Sequence, residues 1–296
     1  MKRHNHLIAQ CMAGIVLLTA ASCQSDDNAS VPSVGKPIDI EATIGNPTRI
    51  AYDGNTARFT QGDCITLIGV ATGTDPLTAP GNKIQTSTYK LGTEKWSSPL
   101  PLLWYDTTEA QDFYAIYPAL DGSAVISNMQ LAEGDANAND VMLACKKVHS
   151  AKDGAVSLAF AHAMSKLVVN LTKLTNEITN PSNITVKVCG VTESYAIDLV
   201  EQKITPVSGS NKKDYALTKQ GESNTFVFFL PGQEGVNKIT ITDGIKSFTW
   251  TNNGISLIAG KITTVSLQVG ENLALIGSVN VTDWDDATIE GGEIEK

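Results

Sequence analysis

An all-β chain folded as two tandem β-sandwiches is what this sequence predicts, on three observations. Apolar side chains recur at every second position rather than with a helical period. Gly, Asn and Asp turns separate these stretches at spacings of roughly 8–12 residues, which suits sandwiches better than a single barrel. No capped amphipathic stretch is long enough for a substantial helix, and residues 172–180 offer one turn or two.

In chain order, Ile38, Ile40, Ala42 and Ile44 alternate with Asp39, Glu41 and Thr43, the pattern of a strand with one buried face. Cys64 to Val70 is an apolar run. Residues 153–163 (DGAVSLAFAHA) read as a closing strand, and another starts at Lys166, where Leu167, Val169 and Leu171 alternate with polar neighbours. Ile184, Val186 and Val188 repeat the pattern. Phe226 to Leu230 is wholly apolar and ends at Pro231-Gly232, which suits a buried strand. Ile239 and Ile241 flank Thr240, and Asp243-Gly244 then marks a tight hairpin, because both residues tolerate positive φ. A boundary near residue 165 divides the body into residues 37–164 and 165–296, each roughly 125–130 residues and a normal size for one sandwich.

Composition narrows the function. Of 296 residues, 42% are hydrophobic and 18% charged, too apolar for a disordered chain and too polar for a multi-span membrane protein. Lys and Arg number 22 against 31 Asp and Glu, a net charge of −9. An acidic chain lacks the cationic footprint that a phosphate backbone requires, so no nucleic-acid partner is expected.

Residues 1–22 read as a secretory signal: Lys2 and Arg3, a short apolar stretch from Leu7 to Leu18, then Ala20, Ala21 and Ser22. The small residues ending on Cys23 resemble a bacterial lipobox, in which the cysteine is diacylated and becomes the first mature residue. Ala20 stands where that motif usually has Leu, and an ordinary signal leaving Cys23 as a free thiol is the alternative. Gln24-Ser25-Asp26-Asp27 resembles an acidic export tag for the outer face of the outer membrane; otherwise residues 23–36 are a solvated tether. Cys64, Cys145 and Cys189, odd in number and widely spaced, are not a disulfide framework and sit in apolar runs as small core residues.

Chemistry is sparse. His149 and His162 cannot build a three-histidine metal site, and His162, in an apolar run, reads as a hydrogen-bonded structural residue. Asp135-x-Asn137-x-Asn139 opens like a calcium loop, but Asp140 replaces the required Gly and Lys146 the closing Glu, leaving a solvated polar loop. No nucleophile, acid and base converge, so no catalytic residue, metal or cofactor is expected. Trp96, Trp104 and Tyr105 around Pro99-Leu100-Pro101 are the one cluster that could form a sugar-stacking platform.

An ordered series of motifs covers nearly the whole mature chain: Thr48-Arg49, Phe59-x-x-Gly62-Asp63, FYAIYP from Phe113, DVMLA from Asp140, Leu158-x-Phe160-x-His162-Ala163 with SKLVVNL after it, Ala259-Gly260-Lys261, and Val281-Thr282-Asp283-Trp284. Together they resemble the fimbrillin family, particularly its Mfa-like branch. The resemblance implies two transthyretin-like β-sandwich domains, export as a lipoprotein and assembly into type V pili on the outer membrane. It also implies proteolysis after an early arginine, loss of the first strand, and filling of the vacated groove by a strand from the next subunit.

On this sequence the displaced strand would carry Ile38, Ile40, Ala42 and Ile44, and Arg49 would be the cleavage point; a plain surface arginine is the alternative, with Arg58 also nearby. The donor role would fall on residues 279–296. From Asp283 onward, however, that stretch has six acidic residues and a Gly291-Gly292 pair, a poor filler for an apolar groove. Trp284 could instead end this chain's own last strand. The expectation is therefore an accessory, tip or stand-alone subunit rather than a main-shaft one. Its partners would be other pilus subunits through strand exchange, the outer membrane through a lipid anchor, and a host or bacterial surface receptor. The competing expectation is a glycan-binding surface lipoprotein for nutrient capture, acting through Trp96, Trp104 and Tyr105.

Overall fold

The computed structural model describes residues 35–45, 58–106, 108–121, 126–134, 136–176, 178–269 and 275–284. Everything below belongs to one compact unit within Pro32–Lys296. The first eight strands are β1 (Ile40–Ile44), β2 (Cys64–Ala71), β3 (Ile84–Leu91), β4 (Trp96–Ser97), β5 (Gln111–Tyr117), β6 (Met129–Gln130), β7 (Met142–His149) and β8 (Val156–His162). Then follow β9 (Ser165–Lys173), β10 (Thr185–Thr192), β11 (Ser194–Asp198), β12 (Lys203–Pro206), β13 (Lys212–Ala216), β14 (Thr218–Lys219) and β15 (Thr225–Leu230). The last four are β16 (Gln233–Thr242), β17 (Ser247–Leu257), β18 (Lys261–Val269) and β19 (Leu275–Asp283). Among the described residues there is no α-helix, only short 3-10 turns, so the all-β class holds.

A seven-stranded sheet runs β1-β8-β7-β5-β2-β3-β4. A four-stranded sheet, β13-β10-β16-β17, and a five-stranded one, β14-β15-β9-β18-β19, are built from residues after 165 and from Ser165 itself. A three-stranded ladder, β12-β11-β6, ties Met129 and Gln130 to Tyr195 and Ser194.

Side-chain alternation explains how these sheets are covered. In β9 every second residue from Ser165 to Leu171 is buried, as the period-two pattern requires of a strand with one apolar face. β2 and β5 are buried on both faces, which is why they read as continuous apolar runs. One face of the seven-stranded sheet, with Ile68, Tyr114 and Leu143, belongs to the large cluster that includes Val169, Phe228 and Ile241. The other, with Leu67, Phe113, Leu158 and Phe160, packs with Trp96, Leu102 and Trp104 in a second cluster.

Gly232 sits where β15 turns into β16. A Cβ there would lie 2.9 Å from the backbone nitrogen of Ala259 and 3.1 Å from the carbonyl oxygen of Leu257. Neither atom can rotate away. Gly232→Ala is expected to destabilise the chain by about 1–3 kcal/mol, read as a lower midpoint in chemical denaturation.

The Asp243-Gly244 hairpin forms, but with four residues between paired Thr242 and Ser247 rather than two. Asp243 does more than turn the chain. Its side chain is fully buried, and Oδ1 accepts from the amides of Ile245 (3.0 Å) and Lys246 (2.7 Å). Oδ2 accepts from the amide and hydroxyl of Thr179, at 2.8 and 2.7 Å. The Lys246 amide first, then the Thr179 hydroxyl, hold this carboxyl well below the usual carboxylate range. Its stabilisation is therefore present above the ordinary aspartate pKa and lost as pH falls below it. Asp243→Asn places an amide among donors. It should lower the melting temperature at pH 7 and flatten the loss of stability below about pH 4, which melting curves at pH 7 and pH 3 would read.

Asn139 departs from the expected solvated loop. It is 1% exposed; its side chain accepts from the Ala132 amide at 2.8 Å and donates to the Ala132 carbonyl at 3.0 Å. Two backbone groups a short loop away satisfy it, so it acts as a buried clamp. Cys189 is buried, while Cys64 and Cys145 are only partly so, and all three are free thiols.

Candidate functional site at the edge of the seven-stranded sheet

Among the described residues β1 is an edge strand, paired with β8 alone, in parallel, from Ile40↔Val156 to Ile44↔Phe160. The alternation seen in the sequence decides its orientation. Ile38 and Ile40 are 2% and 6% exposed in the core, Ala42 and Ile44 pack partly buried on the same cluster, and Asp39, Glu41 and Thr43 point away from it. The Asp39 carbonyl accepts from the Val156 amide at 2.9 Å, and the Gly45 amide donates to the Phe160 carbonyl at 2.8 Å.

The chain just before β1 is held equally well. The Ile38 amide donates to the Leu102 carbonyl at 2.8 Å. The Tyr89 hydroxyl donates to the Ile38 carbonyl at 3.2 Å and accepts from the Leu102 amide at 3.0 Å. Burial pushes the Tyr89 hydroxyl above its ordinary pKa, and the Leu102 amide partly offsets this.

Beside β1, on the core face of β8, runs an apolar row of Val156, Leu158 and Phe160, all essentially inaccessible. Phe59 closes its far end, meeting Trp96, Tyr117 and Phe160 edge-on at centroid distances of 5.2, 5.3 and 5.3 Å. The motif Phe59-x-x-Gly62-Asp63 explains how Phe59 is placed. Asp63 Oδ2 accepts from the Thr60 amide at 2.7 Å, and the Tyr117 hydroxyl donates to its Oδ1 at 3.4 Å. Burial, then the Asp63 charge, raises the pKa of Tyr117. Gly62 adopts φ 103°, which a side chain would resist, and its amide bonds the Leu91 carbonyl at 2.9 Å.

Two site expectations lie outside the described residues: the lipidation residue Cys23 and the cleavage residue Arg49. Arg58 is described and exposed. At the other end of the chain, β19 takes Leu275–Asp283 into the chain's own five-stranded sheet, antiparallel to β18 at nine positions. Trp284 follows directly on that strand.

The glycan platform is corrected. Trp96 and Trp104 are 8% and 7% exposed and sit in the core cluster over the seven-stranded sheet, with Trp104 edge-on to Phe113. Tyr105 is half-buried, its hydroxyl enclosed. The segment lies over the apolar face of the sheet, so its indole rings cannot present a stacking surface to a sugar. Among the described residues, no three His, Cys, Asp or Glu side chains converge as a metal site requires.

The fimbrillin-like family model matches residues 48–284 of this sequence. The chain belongs to the fimbrillin-like family. This fimbrillin-like chain is similar to a solved structure from Bacteroides uniformis, described as a cell adhesion protein, at 19% identity and a TM-score of 0.63, covering 84% of this chain and 99% of that one. It is also similar to a second structure so described, from Bacteroides ovatus, at 17% identity and a TM-score of 0.65, covering 86% and 99%. At these identities the likeness establishes the β-sandwich fold. No curated protein matches the sequence. The family match runs from Thr48 to Trp284, so β1 and residues 285–296 of this fimbrillin-like chain lie outside the matched span.

Proposed function

We propose that this chain is a structural or adhesive fimbrial subunit of the bacterial surface, exported as a lipoprotein on Cys23, which joins other subunits by strand exchange at the edge of β8. In this reading the body is two sandwich domains, residues 37–164 and 165–296. Cleavage after Arg49 releases β1, and the vacated edge accepts a strand from another subunit. No turnover is involved.

The observation that carries the reading is the seating of β1. Its alternate side chains extend the apolar row of β8 on the core face, and it holds its neighbour over only five parallel positions, leaving Ala161 and His162 of β8 beyond its reach. An edge so uncovered would offer a row of backbone donors and acceptors for affinity, with apolar sites at alternate positions for register. A longer incoming strand could outcompete β1 by the added ladder.

The accessory, tip or stand-alone role is favoured over a main-shaft role by the far end of the chain. β19 is already engaged along its whole length, and residues 285–296 that follow carry five acidic residues. N-terminal sequencing of protein shaved from the cell surface tests the proposal. A start at Ile50 is expected; a start at Cys23 alone would count against maturation at Arg49.

A further inference from the structure

Several motifs left without a role in strand exchange meet at one place, the junction of β8 and β9. Asp140, the His162–Lys166 stretch, Gly260 and Trp284 come from separate parts of the sequence. His162 Nδ1 is 2.7 Å from Asp140 Oδ1, in a largely buried pair. The His162 ring stacks face to face on Trp284, with centroids 3.8 Å apart and planes inclined by 10°. Trp284 in turn lies 5.4 Å from Phe229 at 18°. The Lys166 ammonium sits 5.5 Å from the indole centroid and 5.7 Å from that of Phe229.

The backbone around this stack is equally fixed. The Gly260 amide donates to the Met164 carbonyl at 2.8 Å, and a Cβ on Gly260 would press on the His162 carbonyl oxygen at 3.4 Å. Lys261 pairs with Asp283, the residue before Trp284 and its cross-strand partner in the β18–β19 ladder.

β19 needs such a fastening. Among the described residues it is the outermost strand of its sheet, and residues 278–283 are all exposed, Val279 and Val281 among them. Little apolar burial holds those residues, so their retention rests on the ladder with β18 and on whatever grips the strand's end. Trp284 is that grip.

We infer that Trp284 is a latch: stacked on His162, which Asp140 orients, it pins the end of β19 to the β8–β9 junction, and the C-terminal strand leaves its sheet only when this stack opens. The latch bears on the proposed strand exchange, because it governs whether residues 275–284 are available to anything outside the chain. It does not depend on that reading, since it operates in the uncleaved chain.

Hydrogen exchange on the full-length chain, followed by mass spectrometry, tests it. Trp284→Ala should speed exchange across residues 276–283 roughly five- to tenfold while leaving β9 and β15 unchanged, the range expected when one aromatic stack is removed. His162→Ala should accelerate the same segment, and the double variant should go little further than Trp284→Ala alone, in which the His162 contact is already lost. His162→Phe and Trp284→Phe retain stacked rings and should keep most of the protection; they serve also if an alanine variant fails to fold. Unchanged exchange in β19, additive effects in the double variant, or an acceleration spread evenly over β9, β15 and β18 would each overturn the latch. None of these results depends on where the mature N-terminus lies, so a chain found not to start at Ile50 leaves the latch standing.

Discussion

Replacing Ile38 and Ile40 together with Asp should detach β1 from the seven-stranded sheet while the remainder of the chain stays folded. Each isoleucine buries a side chain worth about 1.5–3 kcal/mol, and a carboxylate in its place adds the cost of burying an unpaired charge. The combined penalty exceeds what five parallel ladder positions can hold. Because β1 is an edge strand, the chain relieves that penalty by local opening rather than by unfolding throughout. The expected signature is fast hydrogen exchange at the β8 amides facing β1, with new binding of a hydrophobic dye to the exposed apolar row. Exchange in the five-stranded sheet should stay as it is in the parent chain. Loss of both sheets together would mean that β1 is an integral part of the core and not a removable strand.

The second large effect is expected at Phe160. This ring has no exposed surface, lies beside Ile44 on the core face of β8, and meets Phe59 edge-on at 5.3 Å. Phe160→Ala removes the ring and leaves a cavity between hydrogen-bonded strands that cannot close over it. A loss of about 3–5 kcal/mol is expected, measured by chemical denaturation. The neighbouring Ala161 points outward and is exposed, so Ala161→Ser should stay within about 0.5 kcal/mol. The contrast between adjacent positions is the test. Similar losses at both would show that β8 is not seated with alternate faces in and out.

Much of this architecture was legible because sheet burial writes itself into the sequence at period two. Ile38 and Ile40, and Leu167, Val169 and Leu171, are buried as their alternation required. The apolar runs of β2, β5 and β15 reflect strands covered on both faces or nearly so. What failed to read were contacts between distant segments. A tryptophan by itself does not say whether it covers a sheet or faces solvent, and the prolines beside Trp96 and Trp104 suggested an exposed turn. Their placement could have been found in the alternation of Leu102 and Trp104, both buried, with Leu103, which is exposed. Asp243 looked like a turn residue because its partners Thr179 and Asn180 lie in another loop. The stack of His162 on Trp284 was likewise invisible: each residue carried a local role, and only the folded sheets bring them together.

Strand exchange at the β8 edge can be put to the test with a chain starting at Ile50 and a synthetic peptide of residues 38–44, IDIEATI, followed by hydrogen exchange. The peptide is expected to bind and to restore protection to the amides of Val156 to Phe160, and a peptide with Asp at the positions of Ile38 and Ile40 to do neither. A chain that ignores the first peptide, or one already protected along β8 without it, would rule out exchange at this edge.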